Sequence, residues 1–198
     1  MYSAYSRQDG GMKGSGRSPV RIPNASSFGQ GMTKAPGGVG ILLAEKWWEK
    51  VFEVRRLSDR ILLVRLVVGK VVFALVCVYA SQVGLSEDVK SQFYEQLQSL
   101  IATVPSSEVL FVCSDWNGHI GSQRDGYMEV HGGHAIGQRN DEGERILEFA
   151  VANDLVVGNS VFKKKPRHLV TYLSGEVSTQ IDYILYRRSF RKYVRSRG

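Results

Sequence analysis

The stretch that decides the fold lies at residues 109–118 and reads VLFVCSDWNG. An unbroken apolar run, typical of a strand buried on both faces, leads directly into an acid and an amide. Because residues two apart on a strand share a face, Asp115 and Asn117 are predicted to point the same way at its carboxyl end, where α/β sheets usually bind ligands. A carboxylate there can orient water or a metal-bound hydroxide, and a carboxamide can donate to a phosphoryl oxygen. An Asx turn that only closes the strand is the alternative interpretation.

The neighbouring segments alternate between the patterns of strands and helices. Gly69 and Lys70 separate two apolar runs and suit a two-residue type II′ hairpin, which prefers glycine first. The alternation predicts a layered α/β sandwich. Together with the stretch at 109–113, strands are predicted at residues 39–44, 53–57, 60–68, 71–79, 155–157, 169–172 and 181–186.

Two helices are predicted from apolar residues at helical spacing. The first runs from Ser86, which can cap it, to residue 104, and Pro105 stops it. The second starts at a cap formed by Asn140 or Asp141 and runs to about residue 153. The side chains expected to face the core are Phe93, Leu97, Leu100, Ile101, Val104, Ile146, Leu147, Ala150 and Val151.

Length and composition exclude several classes of protein. The 198 residues suit one domain or one domain with tails. The longest apolar run, residues 71–80, is far shorter than the roughly 18–20 residues of a membrane span. The polar first ten residues predict no secretory signal. Cys77 and Cys113 are too few for a disulfide framework or a cysteine-based zinc site, and both are expected to be reduced core residues. We expect an intracellular protein without a membrane partner.

The net charge of +7 is concentrated at the two ends of the chain. Residues 1–36 carry a net +4 and residues 187–198 a net +6, which leaves the body mildly acidic. The first segment is rich in Gly and Ser, has no hydrophobic period, and is predicted to be disordered. Basic ends suit a polyanion such as nucleic acid, and the C-terminal end is expected to supply most non-specific DNA affinity. A merely solubilising role for these ends explains the charge equally well.

Two further residues stand out at strand positions. Asp182 lies between isoleucine and tyrosine in the run QIDYIL (180–185), where an acid needs a partner or a solvated cleft. An edge-strand acid paired with an arginine is the alternative. Tyr79 ends a buried strand, where its hydroxyl can touch a phosphate, although burial of the ring alone also explains it.

These segments resemble one known family in order and spacing. The motifs YASQ (79–82), SDWNGHIG (114–121), TY (171–172) and QIDYIL (180–185) are similar to those of the endonuclease/exonuclease/phosphatase family. That family includes apurinic/apyrimidinic endonucleases, DNase I and the endonuclease domains of LINE-type retrotransposons. Residues 139–155, which contain RNDEGER, resemble the retrotransposon branch in particular. The resemblance covers roughly residues 37–194.

The resemblance implies a fold, a reaction and residue roles. The fold would be a four-layer αββα sandwich, and the reaction would be Mg²⁺- or Mn²⁺-dependent hydrolysis of a phosphodiester in DNA. Asp115 would position the attacking water and serve as a metal ligand. Asn117 and Tyr79 would contact the phosphate, Gln82 would help bind the substrate, and Asp182 would orient a histidine. A DNA substrate favours a nuclear location.

The chain also departs from the family pattern. The family has early strands, including one with a metal-binding Glu, before the segment matched by Val39, and a Ser-Asp-His strand after the Asp182 motif. Neither strand has a counterpart here. In the motifs themselves, Ser114 replaces the usual Gly, Trp116 replaces Phe or Leu, and Ser81 replaces Pro.

These departures predict a domain that is truncated at both ends. It would occupy residues 37–194, with the disordered basic segment 1–36 before it and the basic end 187–198 at its close. It would be a weakly active or inactive endonuclease. The alternatives are a non-catalytic nucleic-acid-binding remnant and a product that needs the missing strands.

Overall fold

A computed structural model describes residues 38–82, 84–174 and 177–195. The predicted disordered segment 1–36 lies outside these residues. The strands are β1 (Val51–Ser58), β2 (Ile61–Val68), β3 (Val71–Tyr79), β4 (Val109–Asp115), β5 (Leu155–Val157), β6 (Tyr172–Ser174), β7 (Val177–Thr179) and β8 (Asp182–Arg187). The helices are α1 (Glu87–Ala102) and α2 (Asp141–Ala152). No described helix combines the length and apolarity needed to cross a membrane.

Six of the strands form one sheet in the order β1-β2-β3-β4-β8-β5. The β2–β3 hairpin turns at Gly69 with φ +62°, a left-handed conformation that glycine adopts without strain. Strands β3 and β4 are parallel and are connected through α1, whereas β8 runs antiparallel to β4. The carboxyl ends of β3 and β4 therefore lie next to the amino end of β8, on the same side of the sheet.

The two faces of this sheet are covered differently. On one face the main core forms, where Val76, Val112 and Leu185 pack with Leu97 of α1 and Ile146 of α2. The other face carries a small cluster of Leu62, Val64 and Cys77 under Val39, Ile41 and Leu43. The predicted α/β class is confirmed. The described residues supply a helical layer and one large sheet of the expected four-layer arrangement, with the β6–β7 ladder beside it.

Helix α2 is fixed against the loop that follows β4. The Asn140 side-chain oxygen accepts from the backbone N–H groups of Gly143 and His119, each at 2.9 Å, so one cap serves both segments. A Cβ added at Gly143 would lie 1.7 Å from the carbonyl oxygen of His119. Only glycine therefore fits at position 143 of the motif NDEGE. Its close packing holds the loop that follows Asp115 against helix α2.

Several sequence predictions need correction. Residues 39–44 form no strand, because they cross the face of the sheet instead of pairing along a strand. The Val39 N–H donates to the Asp59 carbonyl in the β1–β2 turn, and the Val39 carbonyl accepts from the Arg56 side chain. The strand predicted at 169–172 starts only at Tyr172, because a 3₁₀ turn at Pro166–His168 precedes it.

The helix details also differ in two places. Ser86 is the N-cap of α1, but its side chain makes no capping hydrogen bond. Val151 is exposed rather than buried, whereas the other predicted core residues of both helices are buried. The basic end predicted at 187–198 begins inside the fold, as the last residue of β8 and a 3₁₀ turn at Arg188–Tyr193.

Candidate functional site

Three of the predicted site residues lie side by side at one edge of the large sheet. Tyr79 of β3 is the register partner of Asp115 of β4, and Asp115 is the register partner of Asp182 of β8. Register partners on neighbouring strands share a face, so the hydroxyl and the two carboxyl groups lie in one row. Residues 103 positions apart in the chain thus form one polar edge.

Asp115 is half-buried beside a second negative charge. Burial raises the pKa of its carboxyl, the hydrogen bond from the Asn117 backbone lowers it, and the charge of Asp182 raises it further, so that the pKa lies above its ordinary value. Its Oδ1 accepts that backbone N–H at 2.8 Å, which is an Asx turn. The turn engages Oδ1, so the alternative interpretation of this motif describes the local structure correctly.

Asn117 is positioned by this turn rather than by the strand. Strand β4 ends at Asp115, and Asn117 adopts φ +50°, so the argument from alternating strand faces was wrong at this residue. Its Nδ2 donates to the Ala80 carbonyl at 2.8 Å. One N–H of the carboxamide is bound there, and the amide lies at the junction of β3 and β4.

Ser114 holds an unusual backbone conformation immediately before Asp115. Its φ of +122° lies in the region that glycine favours and other residues rarely adopt. Serine at this position therefore stores backbone strain next to the candidate site. The resemblance identified Ser114 as a replacement for glycine, and the conformation gives that replacement a physical cost.

Tyr79 is held by its neighbours at the ring and at the hydroxyl. The Arg60 guanidinium stacks 5.0 Å from the ring centroid, and the Gln82 Nε2 donates to the hydroxyl at 2.6 Å. Since that bond uses an acceptor position of the oxygen, the tyrosine proton stays available to donate. Gln82, predicted to bind substrate, is thus placed as a partner of Tyr79.

Asp182 is the first residue of β8, which pairs with β4 at this position, whereas β5 on the other side pairs with β8 only at residues 185–187. Within the described residues it pairs with no arginine, so the alternative interpretation of this acid is wrong. Thr171 Oγ1 accepts from its backbone N–H at 3.1 Å and from that of Ile181 at 3.0 Å. Its carbonyl accepts from the Asn159 Nδ2 at 3.3 Å, while the Asn159 Oδ1 accepts from Ile184 at 2.7 Å.

Asn159 is the positioning residue that sequence reasoning missed. It follows a three-residue strand in a 3₁₀ turn, and no motif marks it. Together with Thr171 it flanks an open depression of about 390 Å³ beside Asp182. The other lining residues are Gly40, Ile41, Cys77, Cys113, Ser114, Tyr183 and Ile184.

The histidines near this edge serve the local structure. The ring of His131 is buried and bonds to the Gly121 carbonyl and the Gly133 N–H. The Nδ1 of His119 lies 3.4 Å from the Gln180 carbonyl. Among the residues that the structure describes, no histidine hydrogen-bonds to the carboxylate of Asp115 or Asp182.

The oxygen donors present fit the minimum that Mg²⁺ requires. Mg²⁺ usually takes one or two carboxylates and keeps several waters, and two carboxyl groups stand in register here. In the described part of the chain no cluster of three His, Cys, Asp or Glu residues could hold a metal. Asp115 and Asp182 would therefore be the protein's contribution to such an ion.

No protein-family model matches this chain. It is 32% identical over 161 residues to craniofacial development protein 2 of Bos taurus, covering 80% of this chain and 27% of that protein. It is 30% identical over 161 residues to the same protein of Tragulus javanicus, covering 80% and 28%. The chain thus spans about a quarter of the length of these curated relatives.

Two solved structures have a similar arrangement of elements. One is the endonuclease domain of TRAS1, a telomere-specific non-LTR retrotransposon, with a TM-score of 0.49, 10% identity and coverage of 70% of this chain and 55% of that one. The other is an endonuclease/exonuclease/phosphatase family protein from Leptotrichia buccalis, with a TM-score of 0.42, 12% identity and coverage of 67% and 44%. The names of these two proteins agree with the resemblance to the endonuclease/exonuclease/phosphatase family. The roles of individual residues stay predictions.

Proposed function

We propose that this chain is a metal-dependent DNA endonuclease domain of the LINE-type retrotransposon branch, and that its described residues support only weak cleavage. The observation that carries the proposal is the row of Tyr79, Asp115 and Asp182 at one sheet edge. A row of two acids and a hydroxyl at the ends of buried strands suits a phosphodiester and a water better than it suits an apolar ligand. A DNA substrate agrees with the expected nuclear location.

Each side chain has a role that its contacts allow. Asp115, whose raised pKa makes it a better proton acceptor than an ordinary aspartate, orients the attacking water with the oxygen that the Asx turn leaves free. Asn117 donates its second amide N–H to a phosphoryl oxygen. Tyr79, whose hydroxyl accepts from Gln82, donates to another. Bound Mg²⁺ would supply charge stabilisation on the phosphate, held by Asp115 and Asp182.

Weak cleavage follows from what stands beside Asp182. A positioned acid or base contributes about 10²–10⁴-fold to a rate, and a preorganised cation stabilises the charge that develops on phosphoryl oxygens. In the described residues no histidine contacts the Asp182 carboxylate. The chain therefore combines a means of holding phosphate with an incomplete means of stabilising the transition state.

A labelled DNA duplex tests this proposal. The complex is formed in chelator, excess Mg²⁺ is added, and strand breaks are followed on denaturing gels for the chain and for Asp182→Asn. We expect slow breaks that require Mg²⁺ and are lost in the variant. Breaks that persist in the variant or in chelator would contradict the proposal.

A second candidate function is non-catalytic binding of nucleic acid. It is favoured by the lack, among the described residues, of a three-ligand metal cluster. In the same experiment it predicts a stable complex and no strand breaks after Mg²⁺ is added. The two candidates thus differ in one measured quantity.

A further inference from the structure

A second basic region lies in the body of the chain, apart from its two ends. Residues 161–170, here called the cationic loop, contain Lys163, Lys164, Lys165 and Arg167 and no acid. All four side chains are exposed. The loop connects β5 to β6, and counts of net charge along the chain hide it because the body as a whole is acidic.

Both ends of the cationic loop are fastened to the strand that carries Asp182. Asn159, just before the loop, donates to the Asp182 carbonyl, and Thr171, just after it, accepts from the Asp182 N–H. Ser160 and Leu169 are buried at the two ends. The loop therefore leaves the sheet and returns to it beside the candidate site.

The turn within the loop is also ordered by backbone contacts. The N–H of His168 donates to the Lys165 carbonyl at 2.8 Å, and that of Leu169 donates to the Pro166 carbonyl at 2.9 Å. Pro166 fixes the start of this turn. Arg167 therefore projects from a defined turn, and the three lysines directly precede it.

The first two cations of the C-terminal basic end have structural partners. Arg188 pairs with Glu129 and Asp154, and Arg187 donates to the carbonyls of Val104 and Pro105. By contrast, no ion pair forms at the four cations of the loop within the described residues; the Arg167 Nε donates only to the His168 ring. Within the described residues, four unpaired charges of one sign at positions 163–167 create a positive potential beside Asp182.

We propose that the cationic loop binds the sugar-phosphate backbone of duplex DNA next to the phosphate held at Asp115 and Asp182. The proposal rests on the proposed function for its ligand class. It assigns non-specific DNA affinity to Lys163, Lys164, Lys165 and Arg167 rather than to Arg187 and Arg188, whose guanidinium groups are engaged within the fold.

The reach of the loop suits this role. Lys163 is four residues from Asn159, and Arg167 is four residues from Thr171, so each lies within roughly 14 Å of its anchor even if the chain were fully extended. Phosphates on one strand of DNA are spaced about 3.4 Å along the helix axis. The chain spacing therefore limits the loop cations to phosphates within about four nucleotides of their anchors beside Asp182.

The salt dependence of DNA binding tests the proposal. Fluorescence anisotropy of a labelled duplex is measured in chelator, so that cleavage does not interfere, over a series of salt concentrations. The variant is Lys163→Gln/Lys164→Gln/Lys165→Gln. The matched control is Lys46→Gln/Lys50→Gln/Lys70→Gln, which removes the same charge. Its positions are exposed and lie in or beside elements at the end of the sheet opposite Tyr79.

Each phosphate contact contributes about −0.9 to the slope of log affinity against log salt. We expect the loop variant to reduce the steepness of that slope by about 2 to 3, and the control to reduce it by less than about 1. Equal changes in both variants, or no change in the loop variant, would overturn the proposal. A change confined to an RNA duplex of the same sequence would overturn DNA as the partner.

Two safeguards keep the test decisive. The thermal midpoint of the loop variant should be unchanged, because the three lysine side chains are exposed. If that variant unfolds, Arg167→Gln alone should reduce the steepness of the salt slope by about 1. No reduction in Arg167→Gln would overturn the proposal. The outcome is also separate from cleavage. If the loop variant has a shallower salt slope and the unmodified chain makes no strand breaks with Mg²⁺, the loop proposal is supported and the endonuclease proposal is contradicted. If the chain makes strand breaks and the slope of the loop variant is unchanged, the reverse holds.

Discussion

Asp115 stands directly opposite Asp182 across the β4–β8 ladder, so the edge of the sheet brings two carboxyl groups together. Like charges in this position destabilise a sheet, and the charge of Asp182 contributes to the raised pKa of Asp115. Such a pair lowers the stability of the protein and is suited to a cation or a proton.

Replacement of Asp115 by Asn should stabilise the protein. The substitution keeps the shape and an oxygen acceptor for the Asn117 N–H while it removes one of the two opposed charges. We expect the free energy of unfolding at neutral pH to rise by about 0.2–1 kcal/mol, measured by urea denaturation. Asp125→Asn, at an exposed loop residue without an ion pair in the described chain, is the control and should change little. A loss of stability in Asp115→Asn would show that the two acids do not repel.

The same pair predicts a pH dependence with a definite sign. Because the pKa of Asp115 is raised in the folded state, the folded protein binds this proton more tightly than the unfolded chain does. The associated stability is present below the ordinary aspartate pKa of about 3.9 and is lost as pH rises through the raised value. The stability advantage of Asp115→Asn should therefore shrink when denaturation is repeated near pH 4. An advantage that grows at low pH would contradict the assigned direction.

Ser114→Gly should relieve the strained backbone at the end of β4. The φ of +122° costs serine on the order of 1–3 kcal/mol, whereas glycine adds about 0.5–1 kcal/mol of entropy cost. The variant should be more stable by about 1 kcal/mol in urea. Ser122→Gly, at a loop residue outside the positive-φ region, should give no gain and serves as the control. Equal losses in both variants would show that Ser114 is not strained.

Arg187, at the start of the C-terminal basic end, should contribute to the stability of the fold. Arg187 donates to the carbonyls of Val104, Pro105 and Glu108, which ties the end of β8 to the loop after α1. Arg187→Gln should lower the thermal midpoint, since hydrogen bonds from charged groups contribute about 1.5–3 kcal/mol each. Arg195→Gln, exposed beyond the last 3₁₀ turn, should leave it unchanged. Equal midpoints in the two variants would contradict this structural role.

Local rules predicted most of the fold. The hairpin at Gly69, the strands at 71–79 and 109–113, and the cap at Asn140 each follow from residues that are neighbours in sequence, and all are present. The predicted burial on both faces is only partly correct, because in β4 only Leu110 and Val112 are buried. The strand predicted at residues 39–44 was wrong, because the same apolar run can either pair with a neighbouring strand or pack across the face of a sheet. Tertiary contacts decide between the two.

The site was predictable in part for the same reason. Asp115 and Asp182 stand out in the sequence because each is an acid in an apolar strand. That the two face each other follows once the strand order is known. Asn159 and the cationic loop carry no such mark. Asn159 matters because its amide meets the backbone of β8, and the loop matters because both of its ends meet Asp182. These are distances in space that a one-dimensional pattern does not contain.

The rate of nicking of supercoiled plasmid tests the account most directly. The chain, Asp115→Asn and the control Asp125→Asn are compared at equal concentration with Mg²⁺ and with chelator. We predict trace nicking by the chain and the control, and none by Asp115→Asn or in chelator. Robust cleavage that is lost in Asp115→Asn would contradict the incomplete site, and equal nicking by Asp115→Asn would contradict the role of the paired carboxylates.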